Sequence, residues 1–142
     1  MSWAENHRES ERLAVAAETA ARNGNIADAY ALYVEAANAE SAALAALDPS
    51  KSRTAGITAV SAVSLYYKGK AFEMAEAFGL RYMNEGSLAR FARSQLRALL
   101  QSIWGEAAIS AAGLKFSKHD VLISVKGGEV LKRGRPTGSN PS

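Results

Sequence analysis

From Thr54 to Tyr67 the chain runs fourteen residues without one charged side chain. Placed on a helix, Ile57, Ala59, Val60, Ala62, Val63, Leu65, Tyr66 and Tyr67 point in nearly every direction, and only Thr58, Ser61 and Ser64 interrupt them. A helix that is apolar all round belongs in a core, so this stretch is expected to be the buried centre of the fold. Fourteen residues of helix span about 21 Å, short of the roughly 20 apolar residues that a bilayer demands. The membrane-spanning reading is thereby set aside.

The flanks read as further helices. Ser2 stands where it caps a first helix running to about Asn23, with Glu5 in the capping-box position, and Leu13, Ala17, Ala20 and Ala21 form its inward stripe. Asn23-Gly24-Asn25 turns the chain, and Ile26, Ala29, Tyr30, Tyr33, Ala37, Leu44 and Leu47 mark the apolar face of a second helix, which Asp48-Pro49 ends. Ser50 or Ser52 is expected to cap the central helix. Lys68-Gly69-Lys70 closes it, and a fourth helix over Ala71 to Asn84 faces inward with Phe72, Ala75, Phe78, Gly79 and Tyr82. After Asn84-Glu85-Gly86-Ser87, a fifth helix from about Leu88 to Ala111 places Leu88, Ala92, Leu96, Leu99 and Ile103 on one face and Arg90, Arg93 and Arg97 on the other.

Beyond Gly113 the period changes. Val121 to Val125 is apolar and β-branched, Gly127-Gly128 is a hairpin signal, and Val130-Leu131 resume on the far side. A two-residue loop there would pair Val125 with Val130 and Ser124 with Leu131. The expected fold is mainly α: a helical domain over residues 1–112, a β-hairpin over 113–133 and a flexible tail over 134–142.

The two helix pairs are alike in spacing. Leu13, Ala16, Ala17, Gly24, Ala29, Tyr33 and Ala36 in the first, and Ala59, Ala62, Val63, Tyr66, Ala75 and Tyr82 in the second, resemble the tetratricopeptide repeat over residues 10–83. The second pair needs one residue inserted at the Lys68 to Lys70 turn, and Gly79 stands where that family has an aromatic. The resemblance implies a stack of antiparallel helical hairpins whose groove binds a peptide or another protein.

Chemistry for catalysis is not evident. The two histidines, His7 and His119, are far apart and cysteine is absent, so neither a zinc site nor a thiolate nucleophile is expected, and no cofactor is implied. Ser117-Lys118-His119-Asp120 reads as a solvated loop, because neighbours in sequence do not form a nucleophile, base and orienter in line. Lacking an apolar leader segment, the start MSWAENHRES fits a cytoplasmic protein.

Charge is divided unevenly. Residues 1–48 hold eight acids and three arginines, and residues 49–142 hold six acids and fourteen lysines and arginines. Either the halves attract one another or the basic half meets an anionic partner. Three surfaces are candidates for a partner, which is another protein or a second copy of the chain. Arg90, Arg93 and Arg97 share a helix face that Trp104 continues, a pairing enriched at interface hot spots; the same stripe also reads as a solvated surface. The hairpin offers an edge strand through Val121, Ile123 and Val125, suited to strand addition. Finally, Lys132-Arg133-Gly134-Arg135-Pro136 resembles the core of an AT-hook, which implies, as an alternative, minor-groove DNA binding through the tail.

Overall fold

Helix-forming composition and well-placed turns produce a mainly α protein. The computed structural model describes residues 1–113, together with the backbone of residues 121–124 and 130–133. Its helices are α1 (Trp3–Arg22), α2 (Ile26–Ala45), α3 (Ser52–Lys68), α4 (Phe72–Met83) and α5 (Arg90–Ala111). The chain divides into two compact units, Met1–Ile103 and Trp104–Ser142, with the boundary falling inside α5.

The start of α1 follows the sequence pattern. Ser2 accepts from the Glu5 amide through its side chain, and the Glu5 carboxylate accepts from the Ser2 amide at 2.9 Å, satisfying two of the free N–H groups that every helix start exposes. Those bonds from Ser2 hold the Glu5 carboxyl below its usual range. The start of α3 does not follow the pattern. Lys51 occupies the cap position without a side-chain bond, and Ser52 is already the first helical residue. Pro49 and the Ser50 amide, which donates to Asp48 Oδ1 at 2.9 Å, fold the preceding loop into an Asp-led turn instead.

Within the first unit the four leading helices run antiparallel in succession. His7 meets Glu40, and Ser10 Oγ donates to the Ala36 carbonyl at 2.9 Å, so α1 and α2 descend side by side in opposite directions. Tyr66 in α3 reaches back to Asn38 in α2, and stacks on Phe78 in α4 at 5.1 Å. The core is made of Leu13, Ala36, Ala37, Ala59, Val63, Tyr66, Ala75, Tyr82, Leu96 and Leu100 with their neighbours. Small residues dominate the α1–α2 contact, and the bulk is concentrated on α3, α4 and α5.

Two turns show how glycine is used. Gly24 carries the left-handed backbone (φ 83°) that ends α1. At the α3–α4 turn, Lys70 takes the left-handed position (φ 61°), while Gly69 has an ordinary φ of −81°. Gly69 is needed for space: a Cβ there would sit 2.9 Å from Val34 Cγ2 and 3.0 Å from the Tyr30 carbonyl oxygen of α2. Gly56 and Gly79 likewise admit α5, whose Ala92 and Leu100 side chains lie 2.9 Å from where their Cβ atoms would be. Gly79 stands where the repeat-like pattern has an aromatic, because a leucine from the next helix occupies that room.

α2 turns much of the expected stripe inward, with Ala29 and Ala37 buried and Tyr33 and Leu44 packed on the core, but Ile26 and Tyr30 are exposed, and Ala36, Glu40 and Ala43 complete the buried set. Past Gly113, β1 (Val121–Ser124) and β2 (Val130–Arg133) pair antiparallel with Ser124 opposite Val130. That register is one residue away from the pairing a two-residue Gly127-Gly128 loop imposes; Val125 and both glycines lie outside the described residues.

Candidate functional site

The charge-free helix is buried on most of its circumference, but not on all. Gly56, Thr58, Ala59, Ala62, Val63, Leu65 and Tyr66 are buried, whereas Ile57 is 50% exposed and Val60, Ser61 and Ser64 are half-buried. Arg53, Ile57, Val60, Ser61, Ser64 and Lys68 recur at the spacing of one helix face. With Phe91 and Gln95 of α5 they line an open groove of about 470 Å³. Basic residues close both ends. The Arg53 guanidinium lies over the Phe91 ring at 5.3 Å, and the Lys68 ammonium lies 6.0 Å from the Tyr33 ring. Such contacts hold the long cationic side chains against the surface with their charge still reachable.

A second concavity of about 490 Å³ opens between the C-terminal end of α2 and α4. Ala42, Leu44, Leu47 and Phe78 supply apolar walls, and Asp48, Arg81 and Glu85 stand at its rim. Behind it runs an aromatic ladder: Tyr66, Phe78 and Tyr82, with successive rings 5.1 and 5.9 Å apart and within 16° of parallel. The Tyr66 hydroxyl donates to Asn38 Oδ1 at 2.6 Å. Burial pushes both tyrosines above their ordinary range, and Ser41 partly offsets this in each case. The offset comes from hydrogen bonding between the Ser41 side chain and each phenol.

The third cluster ties α1 down. Glu40 is 1% exposed, and its carboxylate accepts from His7 Nδ1 at 3.0 Å, while His7 Nε2 lies 3.4 Å from Glu11. The proton on Nδ1 is assigned from the carboxylate it faces. Trp3 stacks on the imidazole at 4.7 Å and donates through Nε1 to Thr58 Oγ1 at 3.1 Å, and Thr58 in turn donates to the Thr54 carbonyl. Three helices are thus joined by one polar chain. The sequence did carry a sign of it: Glu40 is an acid set among Ala36, Ala37 and Ala43, in the stripe that α2 turns inward. Among the described residues no group of histidine, cysteine or carboxylate side chains is arranged to hold a metal ion.

The residues singled out from the sequence fall in different places. Arg90 and Arg97 are exposed on α5. Arg93 is half-buried, and its guanidinium donates to the Met83 and Glu85 carbonyls at 2.6 and 2.7 Å, capping the end of α4. Trp104 is 45% exposed and begins the second unit. Val121, Ile123, Lys132 and Arg133 belong to the two strands, whereas Val125, Gly134, Arg135 and Pro136 lie outside the described residues.

Compared with models of known protein families, with curated proteins and with solved structures, the chain matches none. No described helix is long and apolar enough to cross a membrane. The groove on α3, the cleft on α2 and the His7 cluster are consequently read from their own chemistry.

Proposed function

We propose that this chain is a non-enzymatic interaction module that holds an amphipathic helix of a partner protein in the groove along α3 and α5. The uncovered, charge-free face of α3 carries the reading. Natural proteins place charged residues on exposed helix faces, and here none interrupts the surface between Arg53 and Lys68. Ile57 and Val60 offer an apolar strip, with Phe91 beside it on α5. Such grooves accept the apolar stripe of another helix, read at i, i+3, i+4 and i+7.

Charge sets the partner's composition. Arg53 and Lys68 are fifteen positions apart on one helix, or about 22 Å along the axis. A helix lying in the groove therefore meets a cation near each end, and acidic residues flanking its apolar stripe are favoured. The stack of helical hairpins supports the same reading, since such stacks present their faces to other proteins. Arg90, Arg97 and the edge of the strands are secondary places for the same partner to touch.

The test is selection from a displayed library of helical peptides against the whole protein, followed by Ile57→Glu. Selected sequences are expected to carry an apolar stripe with acidic ends, and the substitution is expected to abolish their binding while circular dichroism stays unchanged. Selected peptides that bind Ile57→Glu as well as the parent would overturn the proposal, as would a library that yields none.

A further inference from the structure

α5 turns a face away from the core that the fold itself does not use. Arg90, Ser94, Arg97 and Gln101 recur at i, i+4, i+7 and i+11, so they form one line along the helix, and all four are exposed. Its two arginines are uncommitted. Arg93 donates to the Met83 and Glu85 carbonyls and Arg12 pairs with Glu9, but neither Arg90 nor Arg97 forms an ion pair with another described residue. The surroundings hold no acid in sequence. None occurs from Gly86 to Gly105, nor from Lys51 to Lys70 on α3. Exposed helix faces commonly mix both signs through pairs at i, i+4, whereas here Arg53, lying 5.3 Å over the Phe91 ring, adds a third cation beside the first turn of α5.

The other exposed residues of this face separate the classes of partner. Ala98 and Ser102 lie beside the line, so as far as Ser102 the face carries arginine, glutamine and small side chains and no large apolar group. A protein finds no apolar anchor there, and a membrane no side chain to insert. A polyanion needs neither. The exposed positions cover nearly half the helix circumference, while Ala92, Leu96 and Leu100 stay buried on the other half. A helix with its side chains is about 10–12 Å across, and the major groove of B-form DNA is about 12 Å wide and 8.5 Å deep. From Arg90 to Gln101 the line runs about 16 Å, or four to five base pairs at about 3.4 Å each. Phe91 and Gln95 mark the α3 side of α5, and Arg93 marks its α4 side. Arg90 and Arg97 lean to the α4 side and Arg53 stands on the α3 side, so cations bracket Ser94 and Ala98.

We propose that the exposed face of α5 binds double-stranded DNA in its major groove, with Arg90 and Arg97 on the phosphates of one strand, Arg53 on those of the other, and Ser94, Ala98 and Gln101 against the base edges between them. Phosphate contacts fix position without reading sequence, and small side chains at the centre let the helix come close. Gln101 is the residue able to add a preference, since a glutamine amide matches the edge of adenine. RNA duplexes fit poorly, because their major groove is deep and narrow. Arg90 and Arg97 do not line the α3 groove, and this surface rests neither on the helix-binding reading nor on the hook-like tail.

Fluorescence anisotropy of labelled mixed-sequence duplexes, titrated with the whole protein, tests the surface. The DNA duplex is expected to bind with a micromolar Kd at about 50 mM salt and roughly ten- to fortyfold more weakly at about 200 mM, the loss that two or three phosphate contacts give. An RNA duplex of the same sequence is expected to bind roughly fivefold more weakly than the DNA. Arg90→Gln with Arg97→Gln should weaken DNA binding by about tenfold or more and flatten its salt dependence, while circular dichroism stays that of the parent because both side chains are exposed. Ala98→Glu, which sets a carboxylate in the middle of the face, should weaken it as much. Ile57→Glu in the α3 groove, and Arg133→Ala with Arg135→Ala toward the C-terminus, should each stay within about threefold of the parent. No saturable binding at the lower salt, equal affinity for the RNA duplex, a double glutamine variant that binds like the parent, or binding lost through Arg133 and Arg135 would each overturn the proposal.

Discussion

Replacing His7 with alanine tests whether the polar chain under α1 is a structural pin. Glu40 is 1% exposed, and its carboxyl is hydrogen-bonded to the His7 imidazole 3.0 Å away. Breaking a buried pair by removing one partner costs about 3–5 kcal/mol, because the other is left uncompensated. Here the low end applies. The His7 side chain is itself 32% exposed, so its deletion lets water approach Glu40 and screens part of the penalty. About 3 kcal/mol is a large share of a stability of about 5–15 kcal/mol, and for a domain of this size it lowers the melting temperature by roughly 10 °C. Two companions separate the cause. Glu40→Gln keeps an acceptor for the imidazole N–H and is expected to cost only about 1 kcal/mol. His7→Leu combined with Glu40→Leu replaces the pair by apolar groups and is expected to recover most of the loss, since such exchanges are often neutral or better. Thermal melts by circular dichroism at neutral pH give all four values. If His7→Ala melts within about 2 °C of the parent, or if the double leucine variant melts below it, burial of an unpaired carboxylate is not what His7 prevents.

Two further outcomes follow from the core. Gly69→Ala is expected to cost about 1–3 kcal/mol by overpacking, because its Cβ meets the Tyr30 carbonyl at 3.0 Å, whereas Gly86→Ala, with nothing within 4 Å, should be neutral in the same chemical denaturation series. Tyr66 and Tyr82 are raised above the ordinary range chiefly by burial. Above about pH 10, where free tyrosine ionises, the unfolded chain therefore releases protons that the folded chain keeps, and stability falls as pH rises. Urea midpoints between pH 9 and 11 should show that slope in the parent and a shallower one in Tyr66→Phe with Tyr82→Phe; equal slopes would dismiss the burial argument.

Sequence by itself determined the helices and where most of them end. Ser2 with Glu5, Asn23-Gly24-Asn25 and Asp48-Pro49 act through local sterics and hydrogen bonds within a few residues of themselves, whereas Gly69 is required by the close approach of α2. The centrality of α3 was legible for the same kind of reason: a run from Thr54 to Tyr67 with no charge has little alternative to burial. Only the tertiary structure decided which part of that helix stays uncovered, because α5 crosses at Gly56 and leaves Ile57 and Ser64 beside the crossing in the groove. It also completed the facing of α2: Ala29, Tyr33, Ala37 and Leu44 already marked the inward side, but with alanine on most sides of the helix it was packing against α1 and α3 that turned Glu40 inward and left Ile26 and Tyr30 outward. The partners that make Glu40 tolerable, His7 and beyond it Trp3 and Thr58, are distant in sequence, so the cluster exists only once three helices have met. Ser41 is the same case: nothing around it in the chain marks it, and its side chain meets the Tyr66 and Tyr82 phenols only once α3 and α4 have packed beside α2.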